Sequence, residues 1–125
     1  PANEHLTMQI ARQVFKISTV ACAIVYFNDG LPAYLTRRID VKPDGSRIQQ
    51  EDFAQLAQLN EDNAGEDYKY KYSYEEAAGL IRKHVVTHPV ELETFFKQVL
   101  ANYILNNGDS HLKNFSVYRT EYGDL

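Results

Sequence analysis

Apolar residues recur along this chain with two different periods, and the switches between them mark its elements. Over residues 1–16, Leu6, Ile10 and Val14 form a stripe at helical spacing, with Met8 and Phe15 flanking it, which predicts an amphipathic helix. Asn3 is the candidate N-cap, and Glu4 sits where the positive end of a helix dipole favours an acid. Residues 19–27 are rich in Val, Ile, Tyr and Phe and predict a strand. Asn28-Asp29-Gly30 is a hairpin-turn signal, and residues 31–40 return as the second strand, with Pro32 limiting pairing at its start. Asp44-Gly45 marks another turn. Residues 49–60 read as a short helix with Phe53, Leu56 and Leu59 on one side, and residues 60–67 as a polar, acidic loop.

Tyr68-Lys69-Tyr70-Lys71-Tyr72-Ser73-Tyr74 alternates with period two. Such a pattern fits an edge strand guarded by lysines or an extended loop laid over a cleft, and the capping signals that follow at once favour the loop. Ser73-x-x-Glu76 is a capping box opening a helix to residue 87, whose apolar face is Ala77, Leu80, Ile81 and Val85. Pro89 suits the first position of the next helix, with Glu91 and Glu93 in its first turn. There Leu92, Phe95, Phe96, Val99, Leu100, Tyr103 and Ile104 make a wide apolar stripe, so this is the predicted core helix. It runs into the polar stretch Asn106-Asn107-Gly108-Asp109-Ser110-His111-Leu112-Lys113-Asn114, after which Phe115-Ser116-Val117-Tyr118 reads as a strand and Thr120-Glu121-Tyr122-Gly123 as a hairpin turn. The order is helix, hairpin, three helices, loop, strand: an α+β chain, mostly helical, in one domain spanning residues 1–125.

Composition narrows what such a domain can do. An apolar fraction of 44% supports a core and argues against disorder. The net charge of −4, from 17 acids and 13 bases, argues against direct nucleic-acid binding, and the basic clusters Arg37-Arg38 and Arg82-Lys83-His84 are too short for a groove-binding patch. Cys22 is the only cysteine, so no internal disulfide can form; it reads as a small packed hydrophobe, and a reducing, cytoplasmic compartment fits. The sequence has no signal peptide and no apolar run of membrane-spanning length. His84 and His88 share a helical spacing but lack the Glu of a zinc-binding H-E-x-x-H, and Pro89 interrupts the helix there, which favours ordinary surface or partly buried histidines. A start at Pro1 without Met, and a stop inside what reads as an unfinished strand pairing, lead to the expectation of a piece of a larger protein.

The polar stretch after the core helix concentrates the chemistry. Asp109 and Asn114 are five apart, the spacing of the catalytic loop in protein kinases, where the Asp receives the substrate hydroxyl proton and the Asn holds a Mg²⁺. On a helix that spacing would point the two side chains to different faces, whereas a loop can curl them towards one cleft. Gly108 is expected to supply a backbone angle that other residues avoid. A polar helix-to-strand turn would use Asn, Gly, Asp and Ser as well, so the loop's acid, imidazole, amine and amide are what favour chemistry over a plain turn.

In this setting the chain resembles the HipA-like serine/threonine kinases, toxins of bacterial toxin–antitoxin pairs, over nearly its whole length. The matching pieces are Asn3-Glu4-His5, Tyr34-Leu35-Thr36-Arg37-Arg38-Ile39-Asp40, Gln50-Glu51-Asp52-Phe53, Lys71-Tyr72 and, most specifically, Gly108-Asp109-Ser110-His111-Leu112-Lys113-Asn114-Phe115. The resemblance implies the larger, mostly helical lobe of a protein-kinase-like fold, with the β-hairpin at its hinge, and an ATP- and Mg²⁺-dependent protein kinase as the parent. It implies Asp109 as the catalytic acid/base and Asn114 as the metal ligand. His111 and Lys113 would contact nucleotide phosphate, and Arg37, Arg38 and Ile39 would lie on the hinge strand meeting adenine, with Ile39 where the family commonly has Phe. It implies a protein substrate and a DNA-binding antitoxin partner. The family's Gly-rich phosphate loop and strand lysine do not occur in this sequence, and its second metal-binding Asp falls past Leu125, so these 125 residues by themselves are expected to be inactive and to bind nucleotide weakly. Aminoglycoside- and choline-type phosphotransferases share a Gly-Asp-x-His-x-x-Asn loop, and a non-catalytic helical interaction domain is the other alternative.

Overall fold

A computed structural model describes residues 1–119; the turn expected at Thr120-Glu121-Tyr122-Gly123 lies outside the described residues. The N-terminal part is a helix against a hairpin. Helix α1 (Ala2–Gln13) is capped by Pro1 without a side-chain bond, so Asn3 lies inside the helix and is not its cap. Strands β1 (Cys22–Tyr26) and β2 (Pro32–Thr36) pair antiparallel, with Cys22 opposite Thr36 and Tyr26 opposite Pro32. The turn between them uses Gly30 at φ +81°, and the Asp29 carboxylate accepts a bond from the Leu31 N–H at 3.0 Å.

Strand β2 is shorter than the sequence pattern suggests. The Arg37 N–H still bonds the Ala21 carbonyl at 2.9 Å, but Arg38 then forks onto Asp40 through Nη2–Oδ2 at 2.5 Å and Nε–Oδ1 at 2.8 Å. That local fork takes the chain out of the ladder, so Arg37, Arg38 and Ile39 follow the strand and are not part of it. The stripe on α1 also differs from expectation: Leu6 and Val14 are 59% and 67% exposed. Helix α1 instead turns His5 towards the hairpin, where its ring meets Tyr34 edge-on at 6.5 Å and its Nδ1 lies 3.9 Å from the Cys22 thiol. Cys22 is thus half-buried with a polar partner, distant in sequence, and does not pack as a plain hydrophobe.

The rest of the chain holds the core. Gln50–Asp52, expected to be helical, forms strand β3, paired antiparallel with β4 (Ser116–Tyr118) so that Asp52 faces Ser116. Asp52 then caps the single turn α2 (Phe53–Leu56) in a capping box with Gln55. The expected loop at 60–67 contains another single turn, α3 (Glu61–Ala64), capped reciprocally by Asn60 and Asn63. The tyrosine run is neither a strand nor fully extended: Tyr68–Tyr70 is a 3₁₀ turn. Helix α4 (Tyr74–His84) opens on the predicted Ser73/Glu76 capping box and buries Ala77, Leu80, Ile81 and, just past its end, Val85.

Helix α5 (His88–Ile104) has Pro89 in its first turn and packs along α4. It is a core helix on one side only. Phe95 and Ala101 are buried, whereas Phe96, Leu100, Tyr103 and Ile104 are exposed. Its apolar stripe is wider than the face that α4 and α2 cover. At the centre, Phe53, Phe95 and Phe115 meet in a triangle with centroid separations of 5.9, 5.7 and 5.1 Å. Phe115 comes from the segment between the polar loop and β4, so the core anchors the loop's far end as α5 anchors its near end. Among the described residues no helix is long and apolar enough to cross a membrane.

Candidate active site

The loop begins with a left-handed residue, and it is not the one the sequence suggests. Asn106, just past α5, has φ +53°, a conformation in which Asn is tolerated at helix C-termini. Gly108 is not among the positive-φ glycines, and a Cβ there would meet nothing within 4 Å. The bend is therefore made by Asn106 and held by amide groups. The Asn107 N–H bonds the Asn102 carbonyl at 2.8 Å, the Asn107 side-chain amide donates to Asn102 Oδ1 at 3.1 Å, and Asn102 Nδ2 donates to Ser110 Oγ at 3.0 Å. Asn102, in the last turns of α5, thus staples the loop at two points. Sequence reasoning missed it because it sits within an apolar stripe; its one signal was a polar residue between Ala101 and Tyr103.

The loop ties Asn114 to the backbone of Asp109, and no described contact joins their two side chains. The Asn114 side-chain amide donates to the Asp109 backbone carbonyl, and the Asn114 N–H bonds the His111 carbonyl at 2.9 Å, within the 3₁₀ turn Leu112–Asn114. Both residues are exposed, Asp109 with 76% of its side chain in solvent. Using its N–H on Asp109 leaves the amide oxygen of the exposed Asn114 with no protein donor among the described residues. Hard oxygen donors of this kind suit Mg²⁺, which takes few protein ligands and completes its shell with water and phosphate. The described residues contain no cluster of three His, Cys, Asp or Glu that would hold a metal unaided.

The flanking side chains are held by tyrosines. Lys113 Nζ lies 5.9 Å from the Tyr68 ring centre, and hydrogen bonding with Tyr68 followed by the charges nearby raises the lysine pKa above its ordinary 10.5, so the amine is a cation at neutral pH. His111 has only 9% of its side chain exposed; its Nε2 is 3.5 Å from Asp109 Oδ1, and its ring stands edge-on to Tyr70 at 5.3 Å. The period-two tyrosines thus do reach the loop, through a 3₁₀ turn whose spacing sets Tyr68 and Tyr70 against Lys113 and His111.

Two hollows flank the loop. One, of about 480 Å³, has Asn106, Asn107 and Gly108 in its wall with Phe96, Leu100 and Tyr103 of α5. The other, of about 350 Å³, has Ser110, His111 and Leu112 opposite Tyr70, Tyr72 and Tyr74. Neither wall includes Asp109 or Asn114, so neither hollow is the single cleft that the spacing led one to expect for both side chains. No described hydrogen bond or ion pair joins Arg37, Arg38 or Ile39 to the loop: Arg38 is spent on Asp40, and Ile39 is 50% exposed.

Two comparisons bear on this site. The family described as the HipA-like C-terminal domain matches residues 1–124. The chain is also similar to a Haemophilus influenzae protein named "Putative kinase", with 28% identity over 120 residues, covering 91% of this chain and 35% of that protein. The chain therefore spans about a third of the length of the curated relative it matches.

Proposed function

The chain belongs to the family of HipA-like C-terminal domains, and on that premise we propose that it is part of the catalytic lobe of an ATP- and Mg²⁺-dependent serine/threonine protein kinase. In this reading the loop from Asn106 to Phe115 is the catalytic loop. The substrate hydroxyl oxygen attacks the γ-phosphorus of ATP, its proton passes to the Asp109 carboxylate, and the bond to the bridging oxygen breaks with its electron pair leaving on ADP. Asn114 is the chain's ligand for Mg²⁺, which when bound neutralises phosphate charge. The Lys113 ammonium offsets negative charge on the transferring group. Backbone groups of Arg37, Arg38 and Ile39, which lie beyond the β2 ladder, meet the adenine edge.

The observation that carries the reading is the bond from the Asn114 side-chain amide to the Asp109 backbone carbonyl, which closes the loop while both residues stay exposed. The name of the Haemophilus influenzae relative supports the same chemistry. Family likeness extends the proposal to a cytoplasmic toxin of a toxin–antitoxin pair whose partner is a DNA-binding antitoxin. The test is Asp109→Asn in the full-length protein, assayed for transfer of γ-phosphoryl groups from ATP to protein. The expected loss is roughly 10²–10⁴-fold in kcat, together with loss of growth inhibition on expression. Turnover that survives the substitution refutes the catalytic role of Asp109. Growth inhibition that survives without turnover points instead to a non-catalytic interaction domain.

A further inference from the structure

We propose that Asn102, which lies outside the loop on α5, is a positioning residue for Asp109; this rests on the reading of Asp109 as proton acceptor. Two arms of hydrogen bonds run from its side chain to the two flanks of that acid. On one arm, Asn107 Nδ2 donates to Asn102 Oδ1 at 3.1 Å, and Asn107 Oδ1 accepts the backbone N–H of Asp109 itself at 3.3 Å. On the other, Asn102 Nδ2 donates at 3.0 Å to Oγ of Ser110, the residue after Asp109. The main chain adds a third tie, the Asn102 carbonyl accepting the Asn107 N–H at 2.8 Å.

The order of donors and acceptors is set from one end. A backbone N–H can only donate, so Asn107 turns its oxygen to Asp109 and its NH₂ to Asn102. Asn102 answers with its oxygen, which leaves its own NH₂ for Ser110. Both polar atoms of Asn102 are thus engaged by the loop, and the side chain is half-buried, whereas Asn107 and Asp109 are exposed. Asparagine is a weak helix former, and its neighbours on α5 are the apolar Leu100, Ala101, Tyr103 and Ile104. What the position gains is a rigid element holding an exposed acid from both sides. A general base must sit within reach of the proton it takes, and a small displacement of the backbone beneath it carries the carboxylate away.

Steady-state kinetics of the full-length protein with ATP tests this, with Asn102→Leu made both in the parent and in Asp109→Asn. Leucine is close to asparagine in size, suits the apolar neighbours and is the better helix former, so it removes both arms without weakening α5. In the parent the expected result is a fall in kcat on the order of 10²-fold, the scale of an ångström of misplacement at a reacting group, with the KM for ATP unchanged. In Asp109→Asn no carboxylate remains to be placed. There the same substitution is expected to cost little more, because residues that act as a unit do not lose rate independently. Equal fold losses in the two backgrounds mark a general loss of structure and overturn the proposal. So does an unchanged kcat in the parent, and so does a rise in the KM for ATP at preserved kcat, which makes Asn102 a nucleotide contact. If Asn102→Leu does not fold, Asn107→Ala at the exposed end cuts the arm to the Asp109 N–H: lower kcat at constant KM is again expected, and an unchanged kcat overturns the proposal. Full turnover in Asp109→Asn defeats the underlying reading, whereas loss there with equal further loss from Asn102→Leu defeats only this inference.

Discussion

The helix and hairpin of residues 2–36 and the helical part from Phe53 onward are built on opposite terms. Every buried residue among those described lies between Phe53 and Val117. Helix α1 finds its main contacts in β1 and β2, through half-buried side chains such as His5, Cys22 and Tyr34, while Leu6, Val14, Leu31 and Leu35 stay exposed. The later part joins α4, α5, α2 and the loop's far end around three phenylalanines. The difference explains how the polar loop is mounted. A loop whose two ends are fixed by Asn102 on α5 and Phe115 in the core keeps its polar side chains in place without burying them. Residues Arg37 to Ile39 hang from the less packed part, where Arg38 forks onto Asp40 at the surface.

The sharpest way to break this comparison uses two neighbours on one helix. Phe95 is 6% exposed and Phe96 is 64% exposed. Phe95→Ala empties the middle of the aromatic triangle and is expected to cost about 3–5 kcal/mol in denaturant unfolding, the usual range for a buried Phe truncation. Phe96→Ala is expected to stay within about 0.5 kcal/mol, as for surface sites. Equal costs at the two positions mean that α5 is covered on both sides in solution.

Helix starts give a second contrast. Ser73 donates nothing to chance: its backbone N–H bonds Glu76 at 2.8 Å and its hydroxyl receives the Glu76 N–H at 3.2 Å, whereas α1 has no side-chain cap at all. Ser73→Ala is expected to destabilise by about 1 kcal/mol. Asn3→Ala removes no cap and should be neutral or slightly stabilising, since Ala is the better helix former. The same box predicts an acid response. Bonds from the Ser73 backbone and hydroxyl hold the Glu76 carboxyl below its ordinary value of 4.5. A lowered folded-state pKa means that the stabilisation is present above that ordinary value and is lost as pH falls through the folded one. The protection of the amides in the first turn of α4, relative to their intrinsic exchange rates, should therefore fall on acidification below about pH 4.5, and Glu76→Gln should remove that fall.

What the sequence made legible follows the range of the interactions. The Ser73/Glu76 box, the Asn28-Asp29-Gly30 turn and the face of α4 are local, and each is where the pattern put it. Gln50–Asp52 was misread because the apolar period of Phe53, Leu56 and Leu59 extends backwards onto it, whereas its strand partner, Ser116–Tyr118, lies at the other end of the domain. The single turn α3 escaped notice because Asn63 takes the place that Glu or Gln usually fills in a capping box. Within the candidate site, that Asp109 and Asn114 share one curled segment was readable from their short separation. The contacts of Tyr68, Tyr70 and Asn102 were not, because they depend on how a 3₁₀ turn and the end of α5 pack beside that segment.

The most closely matched pair tests the comparison best, because it matches residue type and periodic position. Leu6 in α1 and Leu80 in α4 are both predicted inward-facing leucines on amphipathic helices. One is 59% exposed and the other 7%. Leu80→Ala should cost about 2–5 kcal/mol, with the spread set by how far α5 can settle into the gap. Leu6→Ala should change stability by less than about 0.5 kcal/mol, and the gain in helix propensity is too small to raise it. Should Leu6→Ala instead cost as much as Leu80→Ala in the full-length protein, the exposed stripe of α1 is a buried surface there. The periodicity would then have read the helix face correctly, and the hairpin's open packing would describe this part of the chain alone. A result within the expected half kilocalorie keeps the division as drawn: a firmly packed mount for the loop, and an N-terminal helix and hairpin held mainly through His5, Tyr34 and the hairpin ladder.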